Sequence, residues 1–333
     1  MKHHEKDDYL LKKVIPFNVN NVRTVEDLLI NLKSCSFQGR NLGEALDVLE
    51  KMVNDEDCLK VLALSGAMVP AGMGDLICSI IENNLIDVLI TTGANITHDL
   101  VDAIVNIGHY MGNTNVDDNE LYKFKINRIY DIFLPEDNYI TTEKKLLEII
   151  NELYKDKKIN VLPSEFLKQI GKKIEKRCII SVAAKHNIPI FIPAFSDSEL
   201  SLDLIKFTVN EGYEFNFNIF EDVKKFANAI KSYSRAGLII VGGGVPRNWA
   251  QQIFPYLDDL EGLRDQGIAC GYKYSVRIHT ATEYDGGLSG CTTSESKSWG
   301  KYSLDSDYVS VWCDATIALP ILITGLFQRL KLV

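Results

Sequence analysis

Basic residues are scarce in this chain: 36 Lys and Arg stand against 45 Asp and Glu among 333 residues, a formal net charge of −9. Nucleic-acid binding depends on clustered cations that neutralise phosphates, so nucleic acid is excluded as the principal partner. The balance suits a cationic ligand better. Long apolar runs are also missing. The most apolar stretch, residues 315–327, is shorter than the roughly 20 residues a bilayer span needs and contains Pro320 and Gly325. It reads as a buried C-terminal helix, with no membrane partner. The seven cysteines, at 35, 58, 78, 178, 270, 291 and 313, are scattered and form no C-x-x-C pair. That pattern argues against a disulfide framework or a zinc site and for free thiols in a reducing compartment, the cytoplasm. There is no G-x-x-x-x-G-K-[ST] loop, no nucleophile elbow, and no His/Asp/Glu spacing that would hold a metal. The start of the chain lacks an apolar signal region, so residues 1–14, with paired His3 and His4, read as a flexible solvated tail.

What is present is an ordinary globular composition, 46% hydrophobic and 24% charged, enough for a large core. Apolar runs that end in Gly or Thr alternate with segments of helical period, which predicts an α/β fold with a mostly parallel sheet and helices on both faces. The strand candidates are residues 59–65, 86–92, 188–195, 237–241, 275–280 and 309–313. Amphipathic helix candidates include residues 42–53, 74–83, 143–154, 165–174 and 249–260. Residues 110–156, richer in charge and Asn, read as an excursion from the sheet. No repeat or linker divides the chain, so residues 15–333 are expected to form one domain.

In an open α/β sheet, ligands bind beyond the carboxyl ends of the strands. Four such ends carry small or flexible residues: 65–67, 91–95, 242–246 and 314–315. Together they are candidates for a dinucleotide site. The glycines at 242–244 follow an apolar strand and precede a helix, so a phosphate has room to approach bare backbone. They do not spell G-x-G-x-x-G, and a tight turn without a ligand is the alternative reading.

Residues 283–301 form a long polar, glycine-rich segment between two strand candidates, the usual setting of a functional loop. Within it, Glu283, Asp285 and Glu295 accompany Trp299 and Lys301. Carboxylates beside an aromatic face are what a chain of ammonium groups requires. A lysine attacks a carbonyl or imine carbon only when neutral, which demands burial or neighbouring positive charge. On the residues alone, a solvated surface lysine is the default reading. Asp197, Glu199 and Asp203 either face the same cleft or cap a helix. His98 lies where an acid or base would meet a ligand, and His279 reads as a core histidine with a satisfied hydrogen bond.

Taken together, Ser36–Gly43, Asp87–Gly93, Ile126–Ile129, Ile188–Phe191, Gly242–Val245, Ser298–Lys301 and Asp314–Ala315 resemble the deoxyhypusine synthase family over nearly the whole chain. The resemblance implies a Rossmann-like, deoxyhypusine synthase-like fold and a homotetramer with active sites at subunit interfaces. It also implies a cycle in which tightly held NAD takes a hydride from spermidine and Lys301 carries the aminobutyl group as an imine. By the same resemblance, Thr92, Gly93, Ala94, Asp197, Gly243, Gly244, Ser289, Asp314 and Ala315 match NAD contacts, and Asp203, Glu295 and Trp299 match polyamine contacts.

Three positions depart from the family's protein-modifying members: His98 replaces a glutamate, Asn248 a histidine, and Leu288 a polyamine-binding aspartate. The first two occupy catalytic positions and the third a substrate contact. These departures resemble those of bacterial deoxyhypusine synthase-like proteins, whose acceptor is a free diamine. The tail is also shorter than the blocking helix of eukaryotic members. The expected reaction is therefore aminobutyl transfer from spermidine or putrescine to a free diamine, putrescine, giving homospermidine. Transfer to a lysine of the hypusine-containing translation factor is the second reading, and a silent NAD- or polyamine-binding homologue the third.

Overall fold

The computed structural model describes residues 9–105, 108–263, 265–266 and 270–333. Its centre is a six-stranded sheet made of β1 (Cys58–Leu64), β2 (Val88–Thr91), β3 (Ile190–Phe191), β4 (Arg235–Val241), β5 (Tyr272–His279) and β6 (Tyr302–Trp312). The spatial order is β6-β5-β4-β1-β2-β3, and every neighbouring pair is parallel. Chain order therefore reverses between β1 and β4, the place where flanking loops part and leave a crevice.

Side chains alternate across this sheet with the two-residue period of a strand. From β1, Leu62 and Leu64 join one core, while Leu59, Val61 and Ala63 join the other. Both faces are covered, which is why the strands read as unbroken apolar runs. The first core is closed by α1 (Phe37–Asn54), α2 (Gly74–Glu82), α3 (Gly93–Ile104) and α4 (Glu199–Glu211). The second is closed by α5 (Ile219–Lys231) and α6 (Gly244–Glu261). The short α7 (Thr293–Ser298) precedes β6, and α8 (Ala315–Arg329) returns to the first face.

The excursion expected at residues 110–156 is a separate three-stranded antiparallel sheet, Tyr110–Met111, Ile132–Pro135 and Ile126–Ile129, followed by the helix Glu136–Leu153. Of the predicted tail, residues 9–14 are exposed, and His3 and His4 lie outside the described residues. No helix among the described residues is long and apolar enough to cross a membrane.

Three differences from the sequence reading bear on the site. The strand expected over 188–195 shrinks to Ile190–Phe191, because Pro189 and Pro193 bracket it and lack the N–H that a ladder needs. β6 begins at Tyr302, directly after Lys301, not at 309; it is an edge strand, half exposed, and its polar alternation hides it. α6 begins at Gly244, not at 249, so the glycine turn caps it and Asn248 sits in its second turn.

Candidate active site

A cleft of about 400 Å³ opens at the carboxyl ends of the strands, at the point where chain order reverses. Thr92, Gly93, Asp197, Gly243, Gly244, Ser289, Asp314 and Ala315 all line it. Ala94 is exposed on the first turn of α3 and does not. Three helices, α3, α6 and α8, start at its wall, with Thr92, Gly243 and Asp314 as their N-caps. Their free N–H groups and aligned dipoles favour an anionic ligand such as a phosphate.

The backbone here leaves room only because side chains are absent. A Cβ on Gly243 would stand 2.6 Å from Ser289 Oγ, and one on Gly93 would stand 2.4 Å from Ser198 Cβ. Gly242 (φ 78°) and Gly244 (φ 61°) adopt left-handed conformations that suit glycine, and Gly244 faces open space. Ser65 Oγ donates to Gly243 O at 2.5 Å and the Gly244 N–H to Ser289 Oγ at 3.1 Å, so the turn is held from both sides. His279, expected to be a satisfied core histidine, lines this cleft with Nδ1 buried and without a partner among the described residues. It is the last residue of β5, where the ladder ends and the crevice begins.

The polar segment 283–301 folds into a short turn at Leu288–Gly290 and then α7. Two arginines that sequence reasoning passed over anchor it. Arg247, on α6, donates through Nη2 to Cys291 O at 2.7 Å; Arg277, on β5, donates through Nη1 to the same oxygen at 3.0 Å. Arg277 also reaches Ser289 O and, through Nε, Gly242 O at 3.2 Å, joining the loop to the glycine turn. Both are 2% exposed. An arginine inside the apolar run Val276-Arg277-Ile278 was the available signal, since a buried guanidinium must find acceptors.

This anchoring holds Lys301 inside the fold at 7% exposure. Its Nζ donates to Asn248 Oδ1 at 3.3 Å and lies 5.9 Å from the centroid of the Trp299 ring. Burial, first, and the nearby Arg247 push the ammonium pKa below the ordinary lysine range, while Cys291 and Glu295 oppose them. That direction is the one a nucleophilic amine needs. Trp299 and Glu295, near it, are exposed, as is Leu288 in the turn before α7.

His98 and Asp203 lie elsewhere. They belong to α3 and α4, on the first core's face, whereas Asn248 and Lys301 meet at α6 on the opposite face. One chain does not bring His98 or Asp203 together with Lys301. Asp203 accepts from Lys206 Nζ at 2.9 Å, and burial raises its pKa to about 6. Lys206 also contacts Glu143 at 3.0 Å and Glu199 at 3.8 Å, at the edge of an acidic hollow of about 380 Å³ that Tyr139 and Glu136 help to line.

Fold and cleft together define an open-sheet α/β protein with a ligand crevice at its switch point. The chain belongs to the deoxyhypusine synthase family, whose profile matches residues 27–326. That is a family of aminobutyl transferases. The chain is 38% identical over 306 residues to "Probable deoxyhypusine synthase 1" of Archaeoglobus fulgidus, covering 92% of this chain and 94% of that one. It is 34% identical over 320 residues to "Probable deoxyhypusine synthase 2" of Methanosarcina acetivorans, covering 95% and 90%. A crystal structure from Entamoeba histolytica assigned to the deoxyhypusine synthases has the same fold, with a TM-score of 0.63 at 18% identity, covering 95% of this chain and 97% of that one.

Proposed function

We propose that this protein is an NAD-dependent aminobutyl transferase that draws on spermidine, carries the group on Lys301 and delivers it to a free diamine, putrescine, giving homospermidine. The observation that carries the reading is the buried Lys301 amine, its pKa lowered, held by the neutral Asn248 and not by a carboxylate.

The strand order, numbered along the chain as 3-2-1-4-5-6, is that of doubly wound dinucleotide-binding sheets and supports a Rossmann-like assignment. The cleft's features fit NAD: glycines whose Cβ positions are occupied or face open space, three helix N-termini, and the unpartnered His279 Nδ1. Thr92, Gly93, Gly243, Gly244, Ser289, Asp314 and Ala315 would hold it, with Asp197 beside them and Ala94 just outside. When bound, NAD supplies reversible hydride transfer, which converts the donor amine to an imine and later reduces the product imine.

The chain's own residues do the rest. Neutral Lys301 attacks the imine carbon and expels the donor's leaving amine; the acceptor amine then attacks the lysine-bound imine and releases Lys301 unchanged. Asn248 orients Nζ by accepting its N–H. Trp299 offers an aromatic face to the methylene chain and Glu295 a carboxylate to an ammonium end. His98 and Asp203, on the opposite face of the sheet, reach a Lys301 only from a second copy. That separation supports a homotetramer with sites at subunit interfaces. Leu288 supplies no carboxylate for an acceptor or donor ammonium, which supports a changed acceptor. No disulfide forms among the described residues, which include all seven cysteines, in keeping with a cytoplasmic setting.

The test is to incubate the protein with NAD and spermidine, trap with borohydride and map the adduct by mass spectrometry. An aminobutyl mass on Lys301 is expected. No adduct, together with full activity of Lys301→Ala, overturns the reading. Parallel reactions with putrescine and with the translation factor identify the acceptor.

A further inference from the structure

On the α3 face, three side chains form a linear hydrogen-bonded relay. Asp102 Oδ1 lies 2.7 Å from His109 Nδ1, and His109 Nε2 lies 2.9 Å from His98 Nδ1. Asp102 and His98 are one turn apart on α3, and His109 bridges them from beyond the helix end.

Donor and acceptor chemistry assigns the protons in this relay once the charge of His109 is set. An ionised carboxylate only accepts, so His109 donates to Asp102 through Nδ1–H. With His109 neutral, its one N–H is spent on Asp102, which leaves Nε2 bare and makes it the acceptor for Nδ1–H of His98; a doubly protonated His109 would instead donate to His98 Nδ1. In the neutral relay His98 Nε2 is unprotonated. The hydrogen bond His98 makes among the described residues is through Nδ1. Its ring stands 6.1 Å from that of Tyr139, which lines the acidic hollow with Glu136, Glu143 and Glu199. Burial foremost, and then His109, lower the His98 pKa to about 4 against the opposing pull of Asp102, so the ring stays neutral above that pH.

We infer that Asp102 and His109 are positioning residues that lock His98 in its Nδ1–H tautomer and so present Nε2 as a fixed acceptor to an ammonium group of the amine substrate. This rests on the aminobutyl-transfer reading for the identity of the ligand, but the tautomer itself does not. A neutral, oriented histidine thus takes over the accepting half of a carboxylate's role without its charge. In an isolated imidazole the Nε2–H tautomer is preferred, so the relay must reverse that preference.

The experiment uses the full chain with 15N-labelled histidine. In the ligand-free protein at neutral pH, the His98 nitrogen shifts should report Nδ1–H and a bare Nε2. His109→Phe removes the acceptor and should return His98 to Nε2–H, while His109→Gln, whose side-chain oxygen still accepts, should keep the native tautomer. In kinetics, His109→Phe should raise KM for the amine about tenfold, the worth of one hydrogen bond to a charged group, with kcat changed less. His109→Gln should stay near wild type. Should His109→Phe fail to fold, Asp102→Ala, at a partly exposed position, serves the same comparison. An Nε2–H tautomer in the native protein, or equal KM for Phe and Gln variants, overturns the inference. A Lys301 adduct formed alongside either result leaves the transfer reading standing.

Discussion

Lys301 and Asn248 meet through one hydrogen bond, Nζ to Oδ1 at 3.3 Å, between the residue just before the edge strand β6 and the second turn of the helix that leaves the glycine turn. The same helix therefore presents its N-terminus to the cleft and, one turn on, a neutral acceptor to the lysine. An amide at this point orients the amine without stabilising its charged form.

Replacing Asn248 with Asp puts a carboxylate at that distance. Opposite charge favours the ammonium, so the Lys301 pKa should rise by roughly 1–3 units. Less neutral amine is then present at pH 7, and the acid limb of the pH–rate profile should move upward by the same amount. Profiles of the two proteins across pH 6–10 check this; coincident limbs would refute the nucleophile assignment.

Gly243→Ala tests the cleft. A methyl added at Gly243 would stand 2.6 Å from Ser289 Oγ and push it off the Gly244 N–H. NAD affinity should fall at least about tenfold, the order of one lost hydrogen-bonded contact. Adding Ser289→Gly should recover part of it. Calorimetric titration with NAD on the three proteins gives the answer, with thermal melts to show that the fold is kept.

Because His98 and Lys301 occupy opposite faces of one sheet, a site using both draws on two chains. Lys301→Ala and His98→Ala proteins, each impaired alone, should regain roughly a quarter of wild-type activity when co-expressed, since half of the dimers are mixed and each of these carries one intact site of its two. No recovery in verified hetero-oligomers would place both residues' roles within one chain.

His279 makes stability acid-sensitive. Burial, first, and the neighbouring Arg277 and Arg247 lower its pKa from 6.5 to about 4. The unfolded chain therefore binds a proton between those values while the folded one does not, so stability is full above pH 6.5 and falls as pH drops toward 4. The loss approaches about 3 kcal/mol for this group. Urea melts of wild type and His279→Asn between pH 4 and 7 should show the wild type losing more on acidification; parallel slopes would contradict the assignment.

Much of the architecture was legible along the chain. The runs at 59–65 and 237–241 announce strands covered on both faces, and the glycines at 242–244 announce a close backbone approach. These are short-range signals, set by side-chain alternation and by the conformational freedom of glycine. The start of α3 was not legible, because Gly93-Ala94-Asn95-Ile96-Thr97 is a poor helix former whose conformation is set by the Thr92 cap and by packing of Ile96 and Leu100. β6 hid for a related reason: as an edge strand it buries only part of its surface.

By itself the sequence determined the parallel α/β class, the glycine turn, and the presence of a lysine in a polar loop with acids and a tryptophan. Only the tertiary structure decided that this lysine is desolvated, that Arg247 and Arg277 hold its loop, that His98 belongs to an Asp102–His109 relay, and that His98 and Lys301 face opposite ways. Secondary structure follows from neighbours along the chain, whereas an amine's pKa and a histidine's tautomer follow from groups brought near by folding: Asn248 is 53 residues from Lys301, and His109 is 11 from His98.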